Sequence, residues 1–289
     1  MTDNTDDEDY LPFKIDYVPE KILSNMMLDK NLAIEEKENC MERLKKLLQG
    51  DTLSKDVAFE EDFLNAYFIH CKCDERRAFE KLLNYLNFRI NHSYLYQNVK
   101  FDLPSHPSCR FATFLPRRLS DGSVVVLLEP AYWEPDELPF ETAKTIFNLI
   151  FQQAIRNPVN QMSGFHVITD VANTGFRQYK FCTPYNAYLL NHAAFDVLPL
   201  NIFSLHLINT NYIVTSLFNI AKAFMPEYFK NKAYIHSATE RLLDYFPKAT
   251  LPVKYGGTLK DYDCGMPDFL RKANEQHDNF PIGGQKNVF

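Results

Sequence analysis

Ile202-Phe-Ser-Leu-His-Leu-Ile-Asn-Thr-Asn-Tyr-Ile-Val-Thr-Ser-Leu-Phe-Asn-Ile-Ala-Lys-Ala-Phe-Met225 reads as a strand followed at once by a helix. Ile202 to Asn209 is the short apolar run of a buried strand. From Asn211 onward Ile213, Leu217, Ile220 and Phe224 fall at three- and four-residue steps, so they share one helical face. Ser123 to Glu129 (SVVVLLE) and Phe165 to Val171 (FHVITDV) resemble the first run. Helical patterns occupy Leu138 to Arg156, Pro184 to Phe195 and Asn211 to Lys232. Strands separated by helices at this spacing predict an α/β sheet with crossover connections.

Upstream the texture is different. Between about Glu20 and Gln49, Cys40, Met41, Leu44, Leu47 and Leu48 follow helical steps, and Gly50 is placed to end the run. Glu60, Glu61 and Asp62 favour a helix N-terminus ahead of Phe63, Ala66, Tyr67 and His70. Asp74 is positioned to cap the next helix, with Phe79, Leu82, Leu83, Leu86 and Ile90 as its apolar stripe. The first third therefore reads as an all-helical module. The tail after Gly257 is polar and shows no clear period.

Composition excludes several functions. The chain has 289 residues, a formal charge of -6, and five carboxylates with no Lys or Arg in Met1 to Tyr10. Such a balance argues against a general nucleic-acid binder, whose affinity comes from Lys and Arg on phosphates. The N-terminus lacks the basic start and apolar run of a secretory signal. The most apolar run, Val197 to Ile208, is interrupted by Pro199, Asn201, Ser204 and His206. It falls short of the roughly 18 apolar residues that cross a bilayer. A cytoplasmic protein is expected. Six scattered cysteines do not make a disulfide scaffold, and Cys71-Lys-Cys73 beside His70 lacks the spacing and second pair of a zinc site.

Only 9 glycines are present, where average usage gives roughly 20 at about 7%. The glycine-rich phosphate loops and the nucleophile and zinc motifs of common enzymes are missing. Gly283-Gly-Gln-Lys286 lacks the upstream glycine and the Ser or Thr of a phosphate loop. His166 and Asp170 share a strand face but have no nucleophile tied to them, and His206 reads as a hydrogen-bonded core histidine. No enzyme and no cofactor is expected.

Several landmarks in order resemble the CRAL-TRIO lipid-binding family. They are Asp62-Phe-Leu-Asn-Ala-Tyr-Phe68 with Asp74-Glu-Arg-Arg-Ala-Phe79, Tyr132-Trp-Glu-Pro135, Phe165 to Asp170, Phe181-Cys-Thr-Pro184, His206-Leu-Ile-Asn209 and Leu251-Pro-Val-Lys-Tyr-Gly-Gly257. The resemblance covers about residues 20–258. Composition gives an acidic disordered tail at 1–15, and the resemblance implies an N-terminal helical module at 16–100. A CRAL-TRIO α/β domain then spans 101–260, with a C-terminal tail at 261–289. In that domain a mixed sheet forms the floor, helices flank it, and a mobile gate helix closes an apolar pocket.

By the same resemblance, the pocket is lined by Phe140, Ala143 and Phe147, by Phe165, Val167 and Thr169 on the floor, and by Phe176, Leu190, Ala194, Leu198 and Ile202. The gate carries Ile213, Leu217, Ile220 and Phe224. The 14% aromatic share is thus assigned largely to a dry pocket. Tocopherol-type members carry serines where this chain has Ala143 and Phe147. Phosphoinositide-gripping members use a basic cluster, of which this chain keeps Lys232, with Lys222 and Lys230 nearby; the other matching positions are Asn201, Phe203 and Tyr228. The expected function is binding and intermembrane transfer of a small hydrophobic ligand or lipid, retinoid- or tocopherol-like, by a monomer that visits membrane surfaces transiently. The alternative is a phosphoinositide-responsive, membrane-recruited interaction module.

Overall fold

The computed structural model describes residues 34–100, 102–260, 262 and 266–276. The acidic stretch 1–15 and Cys264 lie outside them.

Three helices open the described chain: α1 (Ile34–Gly50), α2 (Glu61–His70) and α3 (Glu75–Asn91). Asp74 caps α3, its carboxylate accepting from the Arg76 and Arg77 amides at 3.1 Å. The buried face of α3 is not quite the expected stripe. Ala78, Leu82, Tyr85 and Leu86 are buried together with Lys81 and Phe88, whereas Ile90 is exposed. The reason is aromatic packing. Phe63 of α2 lies 4.7 Å from Tyr67 and 5.2 Å from Tyr85, and Tyr85 lies 5.9 Å from Tyr96. Much of the aromatic surplus is therefore core filler for the helical module.

Five strands follow in sequential order, β1 (Ala112–Phe114), β2 (Val124–Leu128), β3 (Phe165–Asp170), β4 (Ile202–Ile208) and β5 (Ala233–Ile235). β1 runs antiparallel to β2 and the rest are parallel, so the sheet is mixed. The three central strands are those the sequence predicts; β1 and β5, three residues each, carry too little pattern to be read. The crossovers contain α4 (Phe140–Ala154), α5 (Pro158–Met162), α6 (Phe176–Tyr179), α7 (Pro184–Asn191), α8 (Tyr212–Lys222) and α9 (Glu227–Lys230). Right-handed crossovers between strands added in one direction put their helices on one face of the sheet. The opposite face is sealed by Leu242, Phe246, Leu251 and Tyr255, packed on Val125, Leu127, Ile168 and Ile208.

Two local features shape this frame. Between Phe165 and His166 the β3–β4 register shifts, leaving Phe203 as an extra residue on β4. A Cβ on Gly164 would meet the Asn201 carbonyl at 2.3 Å and the Phe203 ring at 2.8 Å, so this crossing admits only glycine. The second is α10 (Met266–Gln276), in a segment whose sequence shows no clear period. Its Met266, Phe269, Leu270 and Ala273 are buried in the main core, with Phe269 5.4 Å from Phe114.

Candidate functional site

The helix-covered face of the sheet is built by alternation. Because side chains repeat every two residues, Val124, Val126 and Leu128 stand beside Phe165, Val167 and Thr169. After the bulge, Leu205 and Leu207 continue those rows, and Ala233 and Ile235 of β5 complete them. Burial of the floor residues falls along β2, β3 and β5 but rises along β4, where Ile202 and Leu205 are half-buried and Leu207 is buried. Phe165 is fully buried against Phe114 and Phe151, Val167 is buried, Thr169 is half-buried, and Ile235 at the far corner is exposed. The floor is therefore closed at the start of β2 and β3 and most open at the Thr169 and Ile235 ends of β3 and β5.

α4 supplies one wall. Ala143 is buried, while Phe140 and Phe147 are half-buried against the main core. Phe140 stacks on Phe181 at 4.7 Å and lies 5.4 Å from Trp133, whose indole N–H donates to the Leu138 carbonyl at 2.8 Å. The landmark Tyr132–Pro135 thus anchors an aromatic corner. Leu198 is buried, and Ala194 and Ile202 are half-buried. Phe176 and Leu190 are drawn away from this group; Phe176 is 80% exposed and Leu190 is exposed as well.

α8 lies over this side, entered through Asn209 in a left-handed conformation (φ 56°) and capped by Asn211, whose side-chain oxygen accepts from the Val214 amide at 2.9 Å. Val214 is its one buried side chain. Phe218 packs inward toward Met225, Phe229 and Ala233. The face expected to turn inward does not do so as a set: Leu217 is half-buried, but Ile213, Ile220 and Phe224 are exposed. Tyr212 is exposed beside them, and Tyr185 and Tyr188 extend the apolar surface onto α7, with Tyr188 and Phe224 at 6.1 Å.

Two of the three lysines have partners within the chain. Lys222 reaches the Ala233 carbonyl at 3.4 Å, Lys230 pairs with Glu227 at 2.8 Å, and Lys232 is exposed.

The Leu251–Gly257 landmark lies beneath the opposite face, where its work is structural. The Tyr255 hydroxyl donates to Asp170 Oδ2 at 2.7 Å, and Asp170 Oδ1 accepts from the Asn209 side chain at 2.8 Å and the Ala172 amide at 2.9 Å. Burial first, and the Asp170 carboxylate second, hold the Tyr255 phenol far above its ordinary pKa. Lys254 pairs with the buried Glu129, which also accepts from the Tyr262 hydroxyl at 3.1 Å. A Cβ on Gly257 would lie 1.9 Å from the Leu251 carbonyl oxygen. His166 and Asp170, which share a strand face, bond to different partners. His166 joins a chain in which Ser204 Oγ lies 2.6 Å from His166 Nδ1 and 2.7 Å from His206 Nε2, and His206 Nδ1 lies 2.8 Å from His236 Nε2. Burial, then the neighbouring His236 and His166, lower the His206 pKa to about 3.

Two clefts lie away from the floor. One of about 350 Å³ opens between β1, α4 and α10, lined by Ala112, Ile150 and Leu270 among others. The other, about 550 Å³, sits at the C-terminal ends of β3, β4 and β5 between Ala172, Asn209 and His236. Neither is lined by a residue expected in the ligand wall. Sequence reasoning missed Lys81, Phe195 and the Ser204–His206–His236 chain, whose partners are 30 or more residues apart in most cases and leave no local pattern.

No helix among the described residues is long and apolar enough to cross a membrane. The chain is 25% identical over 238 residues to the human protein named alpha-tocopherol transfer protein-like, covering 81% of this chain and 69% of that one. It is 26% identical over 239 residues to clavesin-1 of Rattus norvegicus, covering 79% and 66%. The chain thus spans about two thirds of the length of these relatives. The crystal structure of Sfh5 has the same fold, with a TM-score of 0.50 at 11% identity, covering 81% of this chain and 91% of that one. A family model described as the CRAL/TRIO domain matches residues 110–257, more than half of the chain. With the mixed sheet, the helical N-terminal part and this match together, the chain belongs to the CRAL/TRIO domain family.

Proposed function

We propose that this protein binds one small hydrophobic molecule or lipid on the helix-covered face of the sheet, beneath α8, and carries it between membranes. The observation that carries the reading is α8 itself. It lies beyond an apolar floor with one side chain buried, and it leaves Tyr212, Ile213 and Ile220 exposed, with Phe224 exposed just past its end. Exposed apolar side chains grouped in this way mark an interaction or membrane surface. A ligand on the inner side and a bilayer surface on the outer side would cover it in turn, so that membrane contact biases the gate toward release.

The magnitudes suit a carrier. A retinoid- or tocopherol-sized ligand burying a few hundred Å² gains roughly 10 kcal/mol at about 25 cal/mol per Å², before association costs of several kcal/mol. The remainder, at most about 6 kcal/mol, is a modest affinity that can yield the ligand to a membrane. The relative named alpha-tocopherol transfer protein-like supports a tocopherol-like ligand class. With Lys222 and Lys230 already engaged, attraction to membrane rests on the apolar face more than on charge, which favours a carrier over a phosphoinositide-responsive module. The reading places the protein in the cytoplasm with transient membrane association.

The deciding experiment is native purification, solvent extraction and mass spectrometry of what is released. A stoichiometric hydrophobic compound is the expected result. Repeated recovery of empty protein that also ignores a panel of fluorescent retinoids and fatty acids would overturn the reading.

A further inference from the structure

Between α7 and β4 the helix widens. His192–Val197 forms a π-turn, with the Leu198 amide donating to the Ala193 carbonyl five residues back. Widened turns of this kind re-aim side chains and occur often at functional sites. Here the turn directs Phe195 under the gate. Its ring lies 4.8 Å from that of Phe229 on α9, in a cluster with Met225, Ala233 of β5, the floor residues Ile202 and Leu205, and Phe218 of α8. Phe195 therefore stands between floor and gate at the β5 side, where the apolar rows of the sheet end.

Its backbone is held from another part of the molecule. Lys81 of α3, only 8% exposed, donates from Nζ to the Phe195 carbonyl at 2.6 Å across 114 residues of sequence. A lysine is a costly residue to bury, and one that is buried keeps its hydrogen bonds. Burial lowers the Lys81 pKa to about 8, and Cys71 and Asp196 act in the opposite sense. The helical module thereby fixes the π-turn whose Phe195 ring packs beside the floor residues Ile202 and Leu205.

We propose that Phe195 is the stop that sets how long a ligand the cleft accepts, and that Lys81 is its positioning residue. The inference rests on the carrier reading and deepens it by naming a specificity-determining residue. The ligand class is a linear or polyene amphiphile whose apolar end runs along the floor toward β5. Each methylene buried on the way adds about fourfold to affinity, and the gain ends where the chain meets the Phe195 ring.

The test is displacement of bound cis-parinaric acid or retinol by straight-chain acids from decanoic to docosanoic, using the full chain. In the unsubstituted protein, affinity should rise by about fourfold per methylene and then stop. Phe195→Ala should move that ceiling to longer acids and Phe195→Trp to shorter ones. Lys81→Met should move it in the direction of Phe195→Ala, a change that general destabilisation would not produce. If Phe195→Ala does not fold, Phe195→Leu serves with the same expected sign. An unchanged ceiling in the folded Phe195 variants overturns the stop while leaving the carrier intact. Failure of the unsubstituted protein to bind parinaric acid and retinol alike overturns the carrier reading, and the stop with it.

Discussion

Replacing Tyr255 by Phe removes one oxygen, and the cost falls on Asp170. That carboxylate is 8% exposed and would keep Asn209 and the Ala172 amide as donors while losing its third. The expected loss is about 1–3 kcal/mol, read as a lower urea midpoint with unchanged slope. Gly257→Ala is more severe, because its Cβ would overlap a backbone carbonyl that cannot rotate away. At least about 3 kcal/mol, or loss of soluble protein, is expected on expression and thermal denaturation. These residues were legible as a motif before their contacts were known. The sequence marks Leu251–Gly257 through the family resemblance, whereas Asp170 lies 85 residues from Tyr255, so their bond has no local signature. Val167 and Thr169 are different: alternation alone places them on one face, and the β3 register agrees.

Among the helices and strands, α8 is the most informative. Its apolar residues cover two faces, one through Ile213, Leu217 and Ile220, continued past its end by Phe224, and another through Val214 and Phe218. Periodicity detects both and cannot choose which turns inward; the packing of Phe218 with Phe229 and Met225 chooses the second. A double substitution, Ile213→Asp with Ile220→Asp, should slow ligand transfer between vesicles by tenfold or more. Thermal stability should change little, since both side chains are exposed and exposed positions usually shift stability by less than about 0.5 kcal/mol. Ala194→Trp tests the interior instead. On the half-buried π-turn, a large ring should abolish ligand binding with little change in the circular dichroism of the fold. The long helices and the three apolar strands were readable because each repeats its pattern several times. β1 and β5 repeat theirs barely once, and α10 is amphipathic in a segment dominated by polar residues.

For the molecule as a whole, pH reports on burial. His70 and His206 both have pKa values lowered from 6.5 to about 3, chiefly by burial. Once unfolded they bind protons near 6.5, so the unfolded chain carries more protons than the folded one between those values. Stability is therefore full above about pH 6.5 and is lost as pH falls toward about 3, by up to about 1.4 kcal/mol per pH unit for each histidine. Urea midpoints across that window should show it, and His206→Asn should make the slope shallower. A slope unaffected by that substitution would mean that His206 does not supply the linkage. What the amino-acid order determined is the class: helices then an α/β sheet, no nucleic-acid charge balance, and ordered landmarks of a lipid-binding family, all carried by local period and composition. Only the tertiary structure decided which face of α8 looks inward, that Lys81 grips the turn bearing Phe195, and that Lys222 and Lys230 are engaged. These depend on contacts between distant segments, and a one-dimensional pattern records a side chain's polarity but not the neighbour it meets.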